Sequence, residues 1–374
     1  MDKVALEEYI DYEQPSKYIV SDDNYNDDYD IPVLTAGQSF LLGYTNEKEG
    51  IFPKEKLPII LFDDFTTSVK FVKEPFKVKS SALKILLPKN NNNIKFFYYL
   101  IKNIKIDSTT HKRYWISEYA KMQIKKYSIE EQNKIEDVLS NIDNMIQNRT
   151  EQLNDLDNLI DSKFFKMFGS PFNNTKWKSK ELKEIAESIS DGNNVDVKYY
   201  QESGSVLFLR IQNVWRNEFK LDDSVYISQE ANKKYADTSL KHGDILITKI
   251  GRYYTKDSSL GRTSIYLGED DKANYSNNIM RVRVKADYNS EFINVLLNLK
   301  DYQQYIRNVS KGGTDKRALS KTVISSFPII TPPLQLQNEY INFVNRVEKQ
   351  KKELLKDIED LEKIMRERMH TYFD

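Results

Sequence analysis

Two short stretches concentrate the side chains that bind polyanions. They are Lys249-Ile250-Gly251-Arg252-Tyr253-Tyr254-Thr255-Lys256 and Lys311-Gly312-Gly313-Thr314-Asp315-Lys316-Arg317. Lys and Arg neutralise phosphate, and guanidinium and amide groups form paired hydrogen bonds with base edges in the major groove. Arg262 and Asn277-Asn278 lie between the two stretches and add donors of the same kind. Earlier in the chain, His111-Lys112-Arg113-Tyr114 has a similar character. Arg113 precedes Gln132 by 19 residues, and Arg317 precedes Gln337 by 20. Thr66-Thr67-Ser68-Val69-Lys70, Lys77-Val78-Lys79-Ser80-Ser81 and the trio Arg210, Gln212 and Asn213 are weaker candidates. Solvated loops, strand edges and turns use the same residue types, so composition alone leaves both readings open.

Bond-making chemistry finds little support. There is no Cys and there are only three His, which excludes thiolate zinc sites and leaves no set of histidine ligands. No phosphate-binding glycine loop of either common type occurs. Thr331-Pro332-Pro333-Leu334 lacks both the amide and the aromatic of the adenine-methyltransferase motif. Asp63-Asp64 with Glu74 and Lys77 resembles a metal-dependent nuclease pattern, but the Glu and Lys are one residue too far apart. His242 has no identifiable nucleophile beside it. We therefore expect no catalytic residue and no metal site. Lys+Arg and Asp+Glu balance at 56 each, so any basic surface must be local. With no long apolar run and no secretory leader after Met1, a soluble cytoplasmic protein is expected.

The elements that would position such groups are set by a repeat. Sliding the chain by 205 positions lays Gln132-Asn133 on Gln337-Asn338 without a gap. Both copies carry an apolar 4-3 spacing. In the first it runs Ile135, Leu139, Ile142, Ile146, Leu153, Leu156, Ile160, with Arg149 the polar exception. In the second it runs Tyr340, Val344, Val347, Leu354, Ile358, Leu361, Met365, with Lys351 the exception. This period predicts two long helices that meet along an apolar seam. Ser128-Ile129-Glu130-Glu131 is a capping box that starts the first; Gly169 and Pro171 end it, about 57 Å later. Thr331 is the expected cap of the second.

Residues 1–125 and 171–330 read as strand-rich globules, with short β-type runs separated by Gly and Pro turns. The first should hold strands near 31–35, 39–44, 59–62, 68–72 and 82–87, and a helix over 95–105. The second should hold strands near 206–211, 220–227, 243–248, 263–267 and 279–284, and a helix over 291–309. Matching Leu6 to Leu182 gives an offset of 176, so the first globule is a trimmed version of the second. Antiparallel pairing lets the second globule close the gap between the helices without strain. The expectation is an α+β fold: two mixed α/β globules separated by an antiparallel two-helix coiled coil with pseudo-twofold symmetry. Such a rod would space two readers on duplex sites roughly one to two turns apart.

This order resembles the DNA-specificity subunit of type I restriction–modification enzymes, over essentially the whole chain. The matching phrases are Leu209-Arg210-Ile211-Gln212-Asn213, Gly243-Asp244-Ile245-Leu246-Ile247, and Ile330-Thr331-Pro332-Pro333 followed by Gln337. In the first half, Ser128 to Gln132 followed by Ile135 corresponds to the last of these. Lys125-Lys126-Tyr127 replaces a proline-rich lead-in, and Leu336-Gln337 replaces Glu-Gln. The resemblance implies target recognition domains at 1–126 and 171–331, and helical spacers at 127–170 and 332–374. It also implies a bipartite, asymmetric double-stranded DNA target. Two methyltransferase subunits would dock on the helices, with Asn144, Arg149, Gln152, Lys349, Glu353 and Lys356 as candidate docking surface. Restriction subunits would join through them, and the partners would carry S-adenosylmethionine, ATP and Mg, leaving this chain without a cofactor. A coiled-coil scaffold with no nucleic-acid role is the alternative.

Overall fold

The capping box forms as its residues dictate. In the computed structural model, which describes residues 2–37, 40–106, 113–255 and 258–374, the Glu131 amide donates to Ser128 Oγ (3.2 Å). The Ser128 amide donates back to Glu131 Oε2 (2.8 Å). The first long helix runs Ile129–Phe168. Gly169 ends it at φ 75°, a conformation that only glycine adopts cheaply. The second long helix runs Leu334–Phe373. Thr331 is not its cap: amide and hydroxyl both donate to the Lys178 carbonyl (2.9 and 3.0 Å), and the helix starts after Pro332-Pro333.

The chain forms two compact units, residues 1–151 with 354–374 and residues 152–353. In the first unit Leu139 and Ile142 pack with Met365, Met369 and Tyr99, while Ile135, Ile146 and Leu361 border them. Tyr127 donates its hydroxyl to the Tyr372 carbonyl (2.7 Å), and Arg149 pairs with Asp357 (3.4 Å). Position rises on one helix as it falls on the other, so the segments are antiparallel. In the second unit Ile160, Phe164 and Phe168 pack on Tyr340, Val344 and Val347, and Asp157 pairs with Lys351 (2.8 Å). That order is antiparallel too. Leu153, Leu156, Leu354 and Ile358 are partly buried. Both polar interruptions of the apolar period, Arg149 and Lys351, thus end in ion pairs.

Each unit places a helix on an antiparallel four-stranded sheet. The first sheet runs in the order Ile10–Glu13, Leu83–Pro88, Ile59–Asp63, Val69–Val72. The second runs Ala186–Asp191, Ile279–Val284, Ile245–Thr248, Thr263–Ile265. Their helices are Ile94–Asn103 and Ser290–Asn298. A two-stranded ladder, Lys3–Ala5 on Gln123–Lys125, recurs as Ser179–Glu181 on Pro328–Ile330. The ladders match at offsets of 176 and 205. Leu6, which donates its amide to the Met122 carbonyl, matches Leu182, which donates to Phe327; both leucines are fully buried. A second, mixed sheet accompanies each: Leu41–Thr45, Ile31–Leu34, Lys77–Val78 in the first unit, and Tyr200–Gln201, Val225–Ile227, Val206–Leu209, Ala273–Tyr275 in the second. The architecture is α+β.

Local differences have local causes. The expected helix over 291–309 is two, because buried Leu299 turns extended (ψ 143°) between Ser290–Asn298 and Lys300–Val309. The run over 220–227 is a strand only at Val225–Ile227. Among the described residues no helix is long and apolar enough to cross a membrane.

Two buried lysines of the first unit are ion-paired. Lys84 meets Asp64 (3.2 Å) and Lys77 meets Glu47 (2.6 Å). Burial alone would raise the Glu47 carboxyl, but hydrogen bonds from Lys77 and Ser21 outweigh it and hold it at about 2. A carboxyl depressed by folding stabilises the native state above its unfolded value near 4.5, and that contribution disappears as pH falls toward 2. Wild type should therefore exceed Glu47→Gln in stability at neutral pH. Urea titrations between pH 5 and 2 should show the gap closing; a constant gap would refute this role.

Candidate nucleic-acid interface

In the second unit the two basic stretches become neighbours. Strand Ile245–Thr248 continues through Lys249 into Ile250–Arg252, which pairs antiparallel with Lys316–Ala318; that strand pairs in turn with Lys311–Gly312. The product is a three-stranded ribbon. Gly251 is obligatory there, since a Cβ would sit 2.2 Å from the Leu260 amide nitrogen. Gly312 serves the hairpin, because its Cβ would stand 2.5 Å from the Lys316 carbonyl oxygen. Arg252 lies directly opposite Lys316. Like charges across a sheet repel, a cost that an approaching polyanion would reverse. Arg317 stacks its guanidinium on Tyr253 (3.9 Å), and Arg252 touches Asp315 (3.6 Å). Lys311, Thr314 and Lys316 are exposed, and Tyr254 is 70% exposed. Lys256 lies outside the described residues.

The ribbon's root gathers further candidates. The Lys249 amide donates to the Asn278 carbonyl (2.9 Å), and its ammonium pairs with Asp191. The Asn277 amide donates to Asn193, and the Ser276 amide donates to Leu209, next to Arg210. Arg210, Lys249, Asn277 and Asn278 therefore share one edge with the ribbon. Arg210 and Gln212 both contact Asp223 (each 3.2 Å). Asn213 and Arg262 are buried instead. Asn213 closes a turn by accepting the Arg210 amide (2.9 Å) and donating to Lys220 O. Arg262 stacks on Trp215 (3.7 Å) and donates Nε to Ser258 O (3.0 Å), which braces the ribbon's return.

The first unit reuses the same frame. Asp64 O accepts the Tyr114 amide (3.1 Å) as Lys249 O accepts Leu319 (2.8 Å), so the 205-residue slide holds here also. Tyr114 is fully buried, an anchor like Leu319. Arg113 is exposed at the position of Ala318. The slide lays Lys112 on Arg317, but His111 and Lys112 lie outside the described residues. Thr67 (φ 60°) donates its amide to Asp63 O, just as Gly261 (φ 70°) donates to Thr248 O. Ser68 thereby takes the place of Arg262. Where the second unit inserts its ribbon strand between Thr248 and Gly261, the first spends only Asp64–Thr66. Thr66 Oγ1 donates to the Asp63 carboxylate (2.5 Å) and contacts Ser68 Oγ. Lys79 pairs with Asp23, Ser80 Oγ accepts the Ala82 amide, and half-exposed Lys70 lies 5.9 Å from the Phe40 ring.

These contacts account for the acidic pair that suggested a nuclease. Asp63 accepts the Gly37 amide (3.1 Å), the Phe65 amide (3.0 Å) and the Thr66 hydroxyl; Asp64 holds Lys84 and the Trp115 amide (2.8 Å). Lys77 is committed to Glu47. The residue types alone did not reveal Asp191, Asp223 and Asp315, the acids that hold the cations in place. Asp191 and Asp315 meet Lys249 and Arg252 across long sequence separations, which no local pattern carries, while Asp223 meets Arg210 across one loop.

A sequence profile described as the type I restriction modification DNA specificity domain matches residues 174–363. The chain belongs to that family. It is also similar to the type I restriction enzyme EcoR124I/EcoR124II specificity subunit of Escherichia coli, 46% identical over 125 residues. That match spans 32% of this chain and 31% of the relative's length. Among solved structures, the S subunit of a type I restriction–modification system from M. genitalium shares the fold. It has a TM-score of 0.58 at 14% identity, covering 100% of this chain and 96% of the other. A second, from a study of complex assembly and conformational transition in the type I R-M system, has a TM-score of 0.54 at 14% identity, with 99% and 97% covered. The profile covers the whole ribbon and most of the second long helix, so family membership rests on the same elements that build the basic edge.

Proposed function

We propose that this chain is the DNA-specificity subunit of a type I restriction–modification complex, itself without catalytic residues. Residues 1–126 and 171–331 each read one half of a bipartite, asymmetric duplex target. Residues 127–170 and 332–374 space the readers and dock two methyltransferase subunits, through which restriction subunits join. S-adenosylmethionine, ATP and Mg belong to those partners. The observation that carries the reading is that two units on one frame end in unlike edges. A shared frame supports equivalent docking to duplex, and a ribbon strand that, among the described residues, is present at only one of the two turns supports unlike half-sites. The 40-residue helices fit the spacing role, at about 60 Å each for a rise of 1.5 Å per residue.

The test is duplex binding by the full chain with its methyltransferase partner, measured by gel shift from 50 to 200 mM salt. Neutralising several phosphates should make affinity fall by about two to four powers of ten over that range. Binding that ignores salt, or none with the partner present, would favour the scaffold reading instead.

A further inference from the structure

The dipeptide that anchors the repeat makes three matching contacts in both units, to which Gln132 adds a bond from Nε2 to Asn92 Oδ1 (3.0 Å). In the first, Gln132 Oε1 accepts the Asn93 amide (2.9 Å) and Asn133 Oδ1 accepts Asn93 Nδ2 (2.9 Å). In the second, Gln337 Oε1 accepts the Asn289 amide (3.0 Å) and Asn338 Oδ1 accepts Asn289 Nδ2 (2.8 Å). Each glutamine also donates Nε2 back to the carbonyl five residues earlier, Tyr127 (3.3 Å) or Pro332 (2.7 Å). Gln132 and Gln337 are buried to within 1%. Asn93 and Asn289 are themselves N-caps: Asn93 Oδ1 accepts the Lys95 and Phe96 amides, and Asn289 Oδ1 accepts the Phe292 amide. One asparagine thus starts the helix lying on the reader's sheet and, through its other polar atoms, grips the first turn of the long helix.

We propose that these Gln-Asn steps are positioning residues: joints that lock each reader's angle to its own long helix and so set how strictly the spacing between half-sites is read. The proposal rests on the function proposed above. Apolar packing alone permits small rotations, because it is non-directional. Two hydrogen bonds to one cap, with a third to the carbonyl behind, fix direction as well as distance. A reader about 25 Å deep that swings by about 8° moves its outer edge by roughly 3.4 Å, one base-pair step. A joint that stiff is needed if neighbouring spacer lengths are to be told apart.

The experiment uses the full chain with its methyltransferase partner and sites mapped by N6-methyladenine sequencing. Duplexes carry that site with the native spacer or one base pair more or less. Asn338→Ala removes an exposed contact that folding tolerates, and Gln337→Met removes the buried bonds at nearly constant volume. Each should lower the preference for the native spacer by about tenfold, the loss expected for one or two hydrogen bonds. Ser320→Ala, which removes a cap elsewhere in the same reader (Ser320 Oγ to the Val323 amide, 3.2 Å), should leave spacer preference unchanged. Unchanged preference in both joint variants, or an equal change in the Ser320 control, overturns the proposal. A wild-type complex with no bipartite site removes the function reading itself, which is a different failure.

Discussion

With Lys316 and Arg317 both replaced by alanine, duplex affinity should fall by about ten- to a hundredfold at near-physiological salt, and the salt slope should flatten by about 1–2 units. Lys316 is exposed and faces Arg252 across the ribbon, while Arg317 is held flat on Tyr253. The two act differently. Lys316→Ala alone should weaken all duplexes alike, as loss of a phosphate contact does. Arg317→Lys keeps the charge but loses the planar fork and its stacking, so it should change sequence preference more than salt dependence. The discriminating measurement is fluorescence anisotropy on specific and scrambled duplexes at three salt concentrations. Equal affinities for the double variant and wild type at every concentration would mean that the ribbon does not face DNA.

Tyr340→Ala should destabilise the second unit by about 3–5 kcal/mol, the range for deleting a buried aromatic ring. Tyr340 is fully buried, with Phe164 and Phe168 ring centroids 5.6 and 5.5 Å away and Phe292 at 6.1 Å. Its hydroxyl donates to the Ile160 carbonyl (3.2 Å), and burial holds that hydroxyl well above the ordinary phenol range. Tyr340→Phe removes only the hydrogen bond and should cost about 1 kcal/mol. Urea unfolding followed by fluorescence separates the two variants, and a difference under about 1 kcal/mol between them would contradict the packing role. The ring sits at a seam position that the apolar period identifies from sequence alone.

The helix pairing within each unit was legible because such pairing depends on spacing, and spacing is written locally. Gln132 and Gln337, the capping box and Gly169 could all be read without knowing what lies opposite. The offset of 176 from Leu6 to Leu182 was equally readable, and the paired ladders follow it. Much of the candidate interface was not. Tyr114, Asn213 and Arg262 have the chemistry of DNA contacts, yet each is buried: Asn213 inside its own turn with Arg210 and Lys220, the other two by partners far away in sequence. Arg262 needs Trp215 and Ser258 to explain it, and Tyr114 needs Asp64. Residue type tells what a side chain can bind; only the fold decides what it meets first. The ribbon lies between these cases. Both of its halves were visible as basic stretches, but their pairing joins Arg252 to Lys316, and no period or spacing announces a contact at that separation.

The turn shared by the two units carries one more consequence. The same pair of backbone hydrogen bonds closes a tight loop at Asp63–Ser68 and a long excursion at Thr248–Arg262. Lengthening such an excursion costs little, about 0.6 kcal/mol for each doubling, and the strands beneath are untouched. Insertions at this spot can therefore vary widely between descendants while the stability of the fold barely moves. Under the function proposed above, new addresses would arise there by lengthening or trading a fingertip, with the hand left as it was.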